Sequence, residues 1–106
     1  MDTSEFQKDV KRTMDPDIVG AELLTNAALG IAGESGEFAD IVKKWRYQRH
    51  DMKTSEALDE LGDILYYTAL AIDWYGFGLD EVMERNMKKR AERYPNGFEA
   101  ERSINR

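Results

Sequence analysis

Two acidic clusters are the residues of this sequence whose types and spacing most clearly suggest chemistry. Glu34 and Glu37 form the first cluster, and Glu60 and Asp63 form the second, so each cluster places two carboxylates three residues apart. On a helix this spacing puts both side chains on one face, with Cβ atoms about 5–6 Å apart, where their charges repel unless a cation lies between them. Two such helices side by side would offer four carboxylates to Mg²⁺, which binds oxygen ligands and keeps several waters. The clusters therefore predict a divalent-metal site, with solvated helix surface as the ordinary alternative.

A second set of polar residues lies near the end of the chain and carries the opposite charge. Asn86, Lys89 and Arg93 follow an i, i+3, i+7 pattern, which predicts one donor-rich helix face. Residues 1–84 carry 8 lysines and arginines against 18 acidic residues, whereas residues 85–106 carry 7 against 3. One interpretation is that the acidic residues hold metal while the basic ones hold phosphate. Complementation of a helix dipole near a C-terminus is the alternative.

Two further residues are weaker candidates for a site, and the single histidine is not favoured as one. Lys44 lies on the same arc as Glu37 and is a candidate for phosphate binding. Trp45 is a candidate for stacking a base, although aromatic residues at helical spacing more often belong to a core. His50 is the single histidine and lies in a polar stretch, where we expect it to be solvated rather than to act as an acid or base.

The periodicity of the sequence predicts the helices that must position these residues. Phe6, Val10 and Met14 form an apolar stripe, and Asp15-Pro16 ends the segment that carries it. Gly97 follows Pro95 and ends the last long helix. The expected helices span Asp2 to Met14, Val19 to Gln48, Ser55 to Tyr75, and Asp80, as N-cap, to Tyr94.

The third of these helices has apolar residues on more sides than one neighbour can cover. Leu58, Leu61, Leu65 and Ile72 are expected to form its core stripe, and aromatic residues fill its flanks. Because so short a chain cannot cover both sides, we expect a homo-oligomer, either a homodimer or a homotetramer. The glycines of the second helix, at positions 30, 33 and 36, are expected to permit close helix packing.

Length and composition restrict the class of protein. The 106 residues are expected to form a single domain, 1–106, and the chain contains no cysteine, so neither disulfides nor thiolate metal sites are available. The formal net charge of −6 argues against a general nucleic-acid binder, which needs a basic surface. No apolar run approaches the length of a membrane span, so we expect a cytoplasmic protein without a membrane partner.

Several of these stretches resemble the MazG-type nucleotide pyrophosphohydrolases. The resemblance lies in Leu29 to Glu37, in Asp59 to Leu65, in Asn86 to Lys89 and in Arg93-Tyr94-Pro95-Asn96-Gly97-Phe98. It implies an all-α fold, here a four-to-five-helix bundle, and Mg²⁺, with Mn²⁺ as a substitute, held by Glu34, Glu37, Glu60 and Asp63. The carboxylates of Glu34 and Glu37 are the candidates for activating water, while Asn86, Lys89 and Arg93 would bind the substrate.

The resemblance also implies a reaction. Members of the family cleave nucleoside triphosphates between the α and β phosphates, which gives a monophosphate and pyrophosphate and suggests housekeeping of the nucleotide pool. Two alternatives stay open at this point. One is a related all-α pyrophosphohydrolase that acts on phosphoribosyl-ATP or a modified nucleotide, and the other is a non-catalytic helical module that binds a nucleotide or a partner.

Overall fold

The computed structural model describes all 106 residues as five α-helices without a β-strand. The predicted all-α class is confirmed, and the helix boundaries lie within two residues of those expected. The second helix, unbroken by its three glycines, is the longest. The helices are α1 (Thr3–Thr13), α2 (Ala21–Tyr47), α3 (Thr54–Trp74), α4 (Leu79–Arg93) and the short α5 (Ala100–Ile104).

Local hydrogen bonds explain where α1 and α4 begin. Asp2 caps α1, its Oδ1 accepting from the backbone N–H of Glu5 at 2.8 Å. The expected N-cap of α4, Asp80, is wrong by two residues: Gly78 is the N-cap, and its N–H donates to Oε1 of Glu81 at 3.1 Å. The carboxylate of Glu81 thus satisfies a donor that would otherwise be unpaired, so the helix begins earlier than a side-chain cap at Asp80 would allow.

Helices α2 and α3 pack against each other as an antiparallel hairpin. Near one end, the indole Nε1 of Trp74 donates to the carbonyl of Gly20 at 2.8 Å. Further along, the ring of Tyr67 lies over Gly30, where a Cβ would be 2.4 Å from the ring atoms. The expected role of glycine in close packing is therefore confirmed for Gly30. It is not seen at Gly33 or Gly36, where a Cβ would meet nothing within 4 Å.

Helix α1 covers the other side of α3. The hydroxyl of Thr13 lies 3.2 Å from that of Tyr66, and Lys11 pairs with Asp73 at 3.7 Å. The small buried core lies where α1, α2 and α3 meet, and the expected stripe of α1 packs into it. The core consists of Val10, Ala27, Ala69 and Leu70, with Phe6 and Met14 against it.

The predicted core stripe of α3 is wrong for its three leucines. Leu58, Leu61 and Leu65 are 62%, 39% and 55% exposed, while Ile72 is half-buried. Helix α3 turns one side, through Tyr67 and Trp74, towards α2 and another towards α1. The leucines lie on a third side that no helix of this chain covers.

Helix α4 extends away from the hairpin and packs mainly against α1 and α3. Gln7 joins α1 to its start, accepting from the N–H of Leu79 at 2.8 Å and donating to the carbonyl of Phe77 at 3.3 Å. The radius of gyration is 17.0 Å, whereas a compact chain of this length would have about 13 Å. The chain is therefore elongated. None of its helices combines the length and apolar character needed to cross a membrane.

Candidate active site

Three carboxylates converge where α2 and α3 face each other. Ligand oxygens of Glu34 and Glu37, one turn apart on α2, and of Glu60 on α3 all lie within 4.8 Å of one another. Glu34 and Glu60 are half-buried between the helices, and Glu37 is exposed. The antiparallel packing of the hairpin therefore brings three of the four predicted metal ligands together.

This concentration of negative charge perturbs Glu60. Its pKa is raised to about 8, first because Glu34 is close enough for a carboxyl–carboxylate hydrogen bond, then because of partial burial and the nearby Glu37. The Oε2 atoms of Glu34 and Glu60 are shielded from solvent and have no hydrogen-bond partner. Buried carboxylate oxygens are normally paired or bound to metal, so the arrangement lacks a compensating positive charge.

The donor set fits a hard divalent cation. Carboxylate oxygens are the ligands that Mg²⁺ and Mn²⁺ prefer, and the two unpartnered oxygens are the atoms that a cation would satisfy. The chain contains no cysteine, and His50 is its single histidine. The site is therefore suited to oxygen-preferring metals rather than to zinc or copper.

Asp63, the fourth predicted ligand, lies outside the group of three. It is exposed on α3, one turn beyond Glu60. Its charge contributes to a raised pKa of Tyr67, which is caused mainly by burial of the phenol and next by the charge of Glu34. Asp63 therefore belongs to the same electrostatic neighbourhood, and its role as a ligand stays a prediction.

A cleft of about 360 Å³ opens beside the carboxylates, between α2, the loop 48–53 and the start of α3. Lys44 lies in this cleft, as expected for a phosphate ligand, but its Nζ is held by Asp40 at 2.7 Å. Lys44 and then Lys43 lower the pKa of Asp40. The residues that line the cleft are Gly36, Glu37, Asp40, Ile41, Lys44, His50, Asp51, Lys53, Glu56 and Glu60.

Two basic residues of the cleft were not predicted as site residues. The sequence predicts a solvated His50. It gives no prediction for Lys53, because a polar loop has no periodicity that would assign its side chains to a face. Both are exposed, and both line the cleft that also holds Glu37 and Glu60. Their position in the sequence could have indicated this. A loop that joins two antiparallel helices passes close to the side chains at the end of the first helix.

The predicted basic face of α4 does not line this cleft. Asn86 and Lys89 are exposed on α4, and Arg93 is half-buried at its end, where its carbonyl accepts from Nη1 of Arg102 at 3.4 Å. Trp45, 45% exposed, also lies outside the lining of the cleft. The substrate-binding roles of these four residues stay predictions.

Comparison with known proteins identifies the family of the chain. The MazG nucleotide pyrophosphohydrolase domain matches residues 24–98, which include the three converging carboxylates and all of α4. The chain belongs to the MazG nucleotide pyrophosphohydrolase family. It is also 34% identical over 80 residues to the Gene 37 protein of Mycobacterium phage L5, an alignment that covers 72% of this chain and 70% of that protein. No solved structure matches the chain significantly.

Glu34, Glu37 and Glu60, which we call the acidic triad, lie within the region that matches the MazG family. The matched region begins within α2 and ends after α4, so the hairpin that builds the site lies almost entirely inside it. Helix α1, which covers α3, and the short α5 lie outside it. The name of the phage relative states no activity.

Proposed function

We propose that the protein is a Mg²⁺-dependent nucleoside triphosphate pyrophosphohydrolase, which cleaves (d)NTP between the α and β phosphates and releases (d)NMP and pyrophosphate. The observation that carries this proposal is the convergence of Glu34, Glu37 and Glu60 with two buried oxygens that have no partner. A nucleotide pyrophosphohydrolase domain that matches most of the chain supports the reaction type. The proposed role is the control of nucleotide pools.

The acidic residues of the site have two proposed roles, metal binding and activation of water. Glu34, Glu37 and Glu60 would hold the cation, and Asp63 is the candidate for a fourth ligand. When present, Mg²⁺ supplies charge neutralisation at the phosphate oxygens. Glu37 is exposed and borders the cleft, so this carboxylate is well placed to orient a water and accept its proton, and Glu34 is the other candidate.

The same proposal includes a homo-oligomer. Only five residues of the protomer are buried, and Leu58, Leu61 and Leu65 form an exposed apolar face along α3. A second copy that covers this face would remove the leucines from water. Contiguous exposed apolar patches commonly mark protein–protein interfaces. It would also give the exposed basic side chains of α4 a route to the cleft of a neighbouring protomer, although they do not line the cleft of their own.

A nucleotide panel tests the activity. The purified protein is incubated with each canonical (d)NTP, phosphoribosyl-ATP and a set of modified nucleotides, with Mg²⁺, with Mn²⁺ or with a chelator. We expect monophosphate and pyrophosphate to form when metal is present and neither to form in the chelator. Metal-independent turnover would contradict the assignment of the carboxylates. Binding of Mg²⁺ without turnover of any substrate would favour a non-catalytic module.

A further inference from the structure

The cleft beside the acidic triad is built for a strongly charged group rather than for a base. Ile41 is the single hydrophobic residue among the ten that line it, and no phenylalanine, tyrosine or tryptophan is among them. Its volume of about 360 Å³ lies within the range of small-molecule sites, about 300–1,000 Å³, but those sites are mostly apolar. The lining therefore favours the phosphate portion of a nucleotide.

The positive charges of the cleft are not equivalent. Lys44 is already neutralised by Asp40, the two atoms being 2.7 Å apart. Lys53 takes part in none of the ion pairs of the protein. His50 lies on the same loop and borders the same cleft. Lys53 and His50 are therefore the donors that remain free to meet an incoming anion.

The loop that carries these two residues is held in a defined conformation. The carbonyl of Lys44, near the end of α2, accepts from the N–H of Gln48 at 3.0 Å and from that of His50 at 3.2 Å. Between them Arg49 has a φ of 62°, in the left-handed region that non-glycine residues rarely adopt. These contacts turn the chain at the end of α2, beside the cleft that His50 and Lys53 line together with Glu37.

Acidic residues still outnumber basic ones in the cleft, since Asp51 and Glu56 lie there as well. A free polyphosphate would be repelled, whereas one bound to a divalent cation would not. A polyphosphate should therefore enter the cleft as its metal complex. The cation would lie at Glu34, Glu37 and Glu60, and the remaining phosphate oxygens would be free to meet the loop 48–53.

We propose that Lys53 and His50 bind the pyrophosphate half of the substrate, that is, the β and γ phosphates, which leave together. This inference rests on the proposed function for the identity of the substrate. It assigns the loop between α2 and α3 to recognition of the leaving group and leaves the base to be recognised elsewhere.

Calorimetric titration with Mg²⁺–pyrophosphate tests the proposal without requiring turnover. We expect Lys53→Ala and His50→Ala to weaken pyrophosphate binding by about 10-fold each, the effect of losing one charge-assisted hydrogen bond. Lys53→Arg should restore most of the affinity because it keeps the charge. Binding of the nucleoside monophosphate product should not change in any of these variants. Lys8→Ala removes an exposed lysine of α1 and is the matched control.

The outcomes separate this inference from the proposed function. If the wild type hydrolyses nucleotides but Lys53→Ala and His50→Ala bind pyrophosphate as the wild type does, the inference is wrong and the function stands. If the wild type hydrolyses nothing, yet binds Mg²⁺–pyrophosphate in a manner that depends on Lys53 and His50, the inference stands and the function fails. Equal weakening of pyrophosphate and monophosphate binding would also overturn the inference, because it would show no preference for the leaving group.

Discussion

Glu34 on α2 and Glu60 on α3 face each other across the helical hairpin, with carboxylate oxygens within 4.8 Å and one solvent-shielded, unpartnered oxygen on each. Without a cation, ionisation of both groups opposes folding, because the two carboxylates lose hydration and their charges repel. With a cation the same geometry becomes a binding site. The following predictions test this relationship and the packing that produces it.

Replacing Glu60 by glutamine should separate stability from activity. Glu60→Gln keeps a neutral side chain like the protonated Glu60 that the folded protein holds below about pH 8, so the metal-free protein should be at least as stable as the wild type. Turnover should fall by at least about 100-fold, since a bound metal contributes several kcal/mol to such reactions. Thermal unfolding and steady-state rates measure the two effects, and Glu22→Gln, exposed near the start of α2, is the control. Full activity in Glu60→Gln would remove this residue from the ligand set.

Asp63 provides a second test of the ligand set, because it lies outside the converging group. If Asp63 joins the site when Mg²⁺ and substrate bind, Asp63→Asn should lower turnover and weaken Mg²⁺ binding in the presence of a nucleotide. It should have little effect on Mg²⁺ binding to the free protein. Calorimetry with and without a non-hydrolysable nucleotide distinguishes the cases. Wild-type kinetics in Asp63→Asn would limit the site to three carboxylates.

The raised pKa of Glu60 predicts a pH dependence of stability. The folded protein holds the Glu60 proton up to about pH 8, whereas the ordinary pKa is 4.5. Between these values the folded state binds more protons than the unfolded state, so the stability of the metal-free protein should fall as pH rises. Mg²⁺ binds the ionised carboxylates, and the rise in melting temperature that it causes should therefore grow over the same range. Melting curves in chelator and in Mg²⁺ test both trends, and both should weaken in Glu60→Gln.

Gly30 should be the least replaceable glycine of α2. A Cβ at this position would lie 2.4 Å from the ring of Tyr67, so Gly30→Ala should destabilise the protein by about 1–3 kcal/mol through overpacking. Gly33→Ala is the matched control, because nothing lies within 4 Å of its Cβ position. It should be neutral or stabilising by up to about 1 kcal/mol through higher helix propensity. Chemical denaturation measures both, and equal effects would contradict the close packing of Gly30 and Tyr67.

If the exposed leucines of α3 form an interface between copies of the chain, a charge placed among them should reduce the oligomeric state. Leu65→Asp places a charge in the apolar face and should convert the protein to a smaller species, measured by light scattering during size-exclusion chromatography. Val19→Asp, at a position that is 66% exposed in the α1–α2 connection, should not alter the mass. A monomeric wild type would refute the proposed homo-oligomer.

The sequence predicted the helices and the core face of α1 because Phe6, Val10 and Met14 obey a simple helical period. It misassigned Leu58, Leu61 and Leu65 because periodicity shows that one side of a helix is apolar but not whether the same chain covers that side. Residues three apart on a helix also differ in direction by about 60°. Glu34 and Glu37 both belong to the group of three despite this difference, whereas Asp63 does not join Glu60 there. Which carboxylates converge depends on how the two helices pack, and the spacing along one helix does not show that.

Identification of the phosphorus products tests the central claim most directly. A single nucleoside triphosphate is incubated with the wild-type protein and Mg²⁺, and the products are followed by phosphorus NMR, with Glu60→Gln as the inactive control. The account predicts nucleoside monophosphate and pyrophosphate in equal amounts, and neither product with Glu60→Gln. Release of orthophosphate and nucleoside diphosphate by the wild type, or unchanged pyrophosphate release by Glu60→Gln, would contradict it.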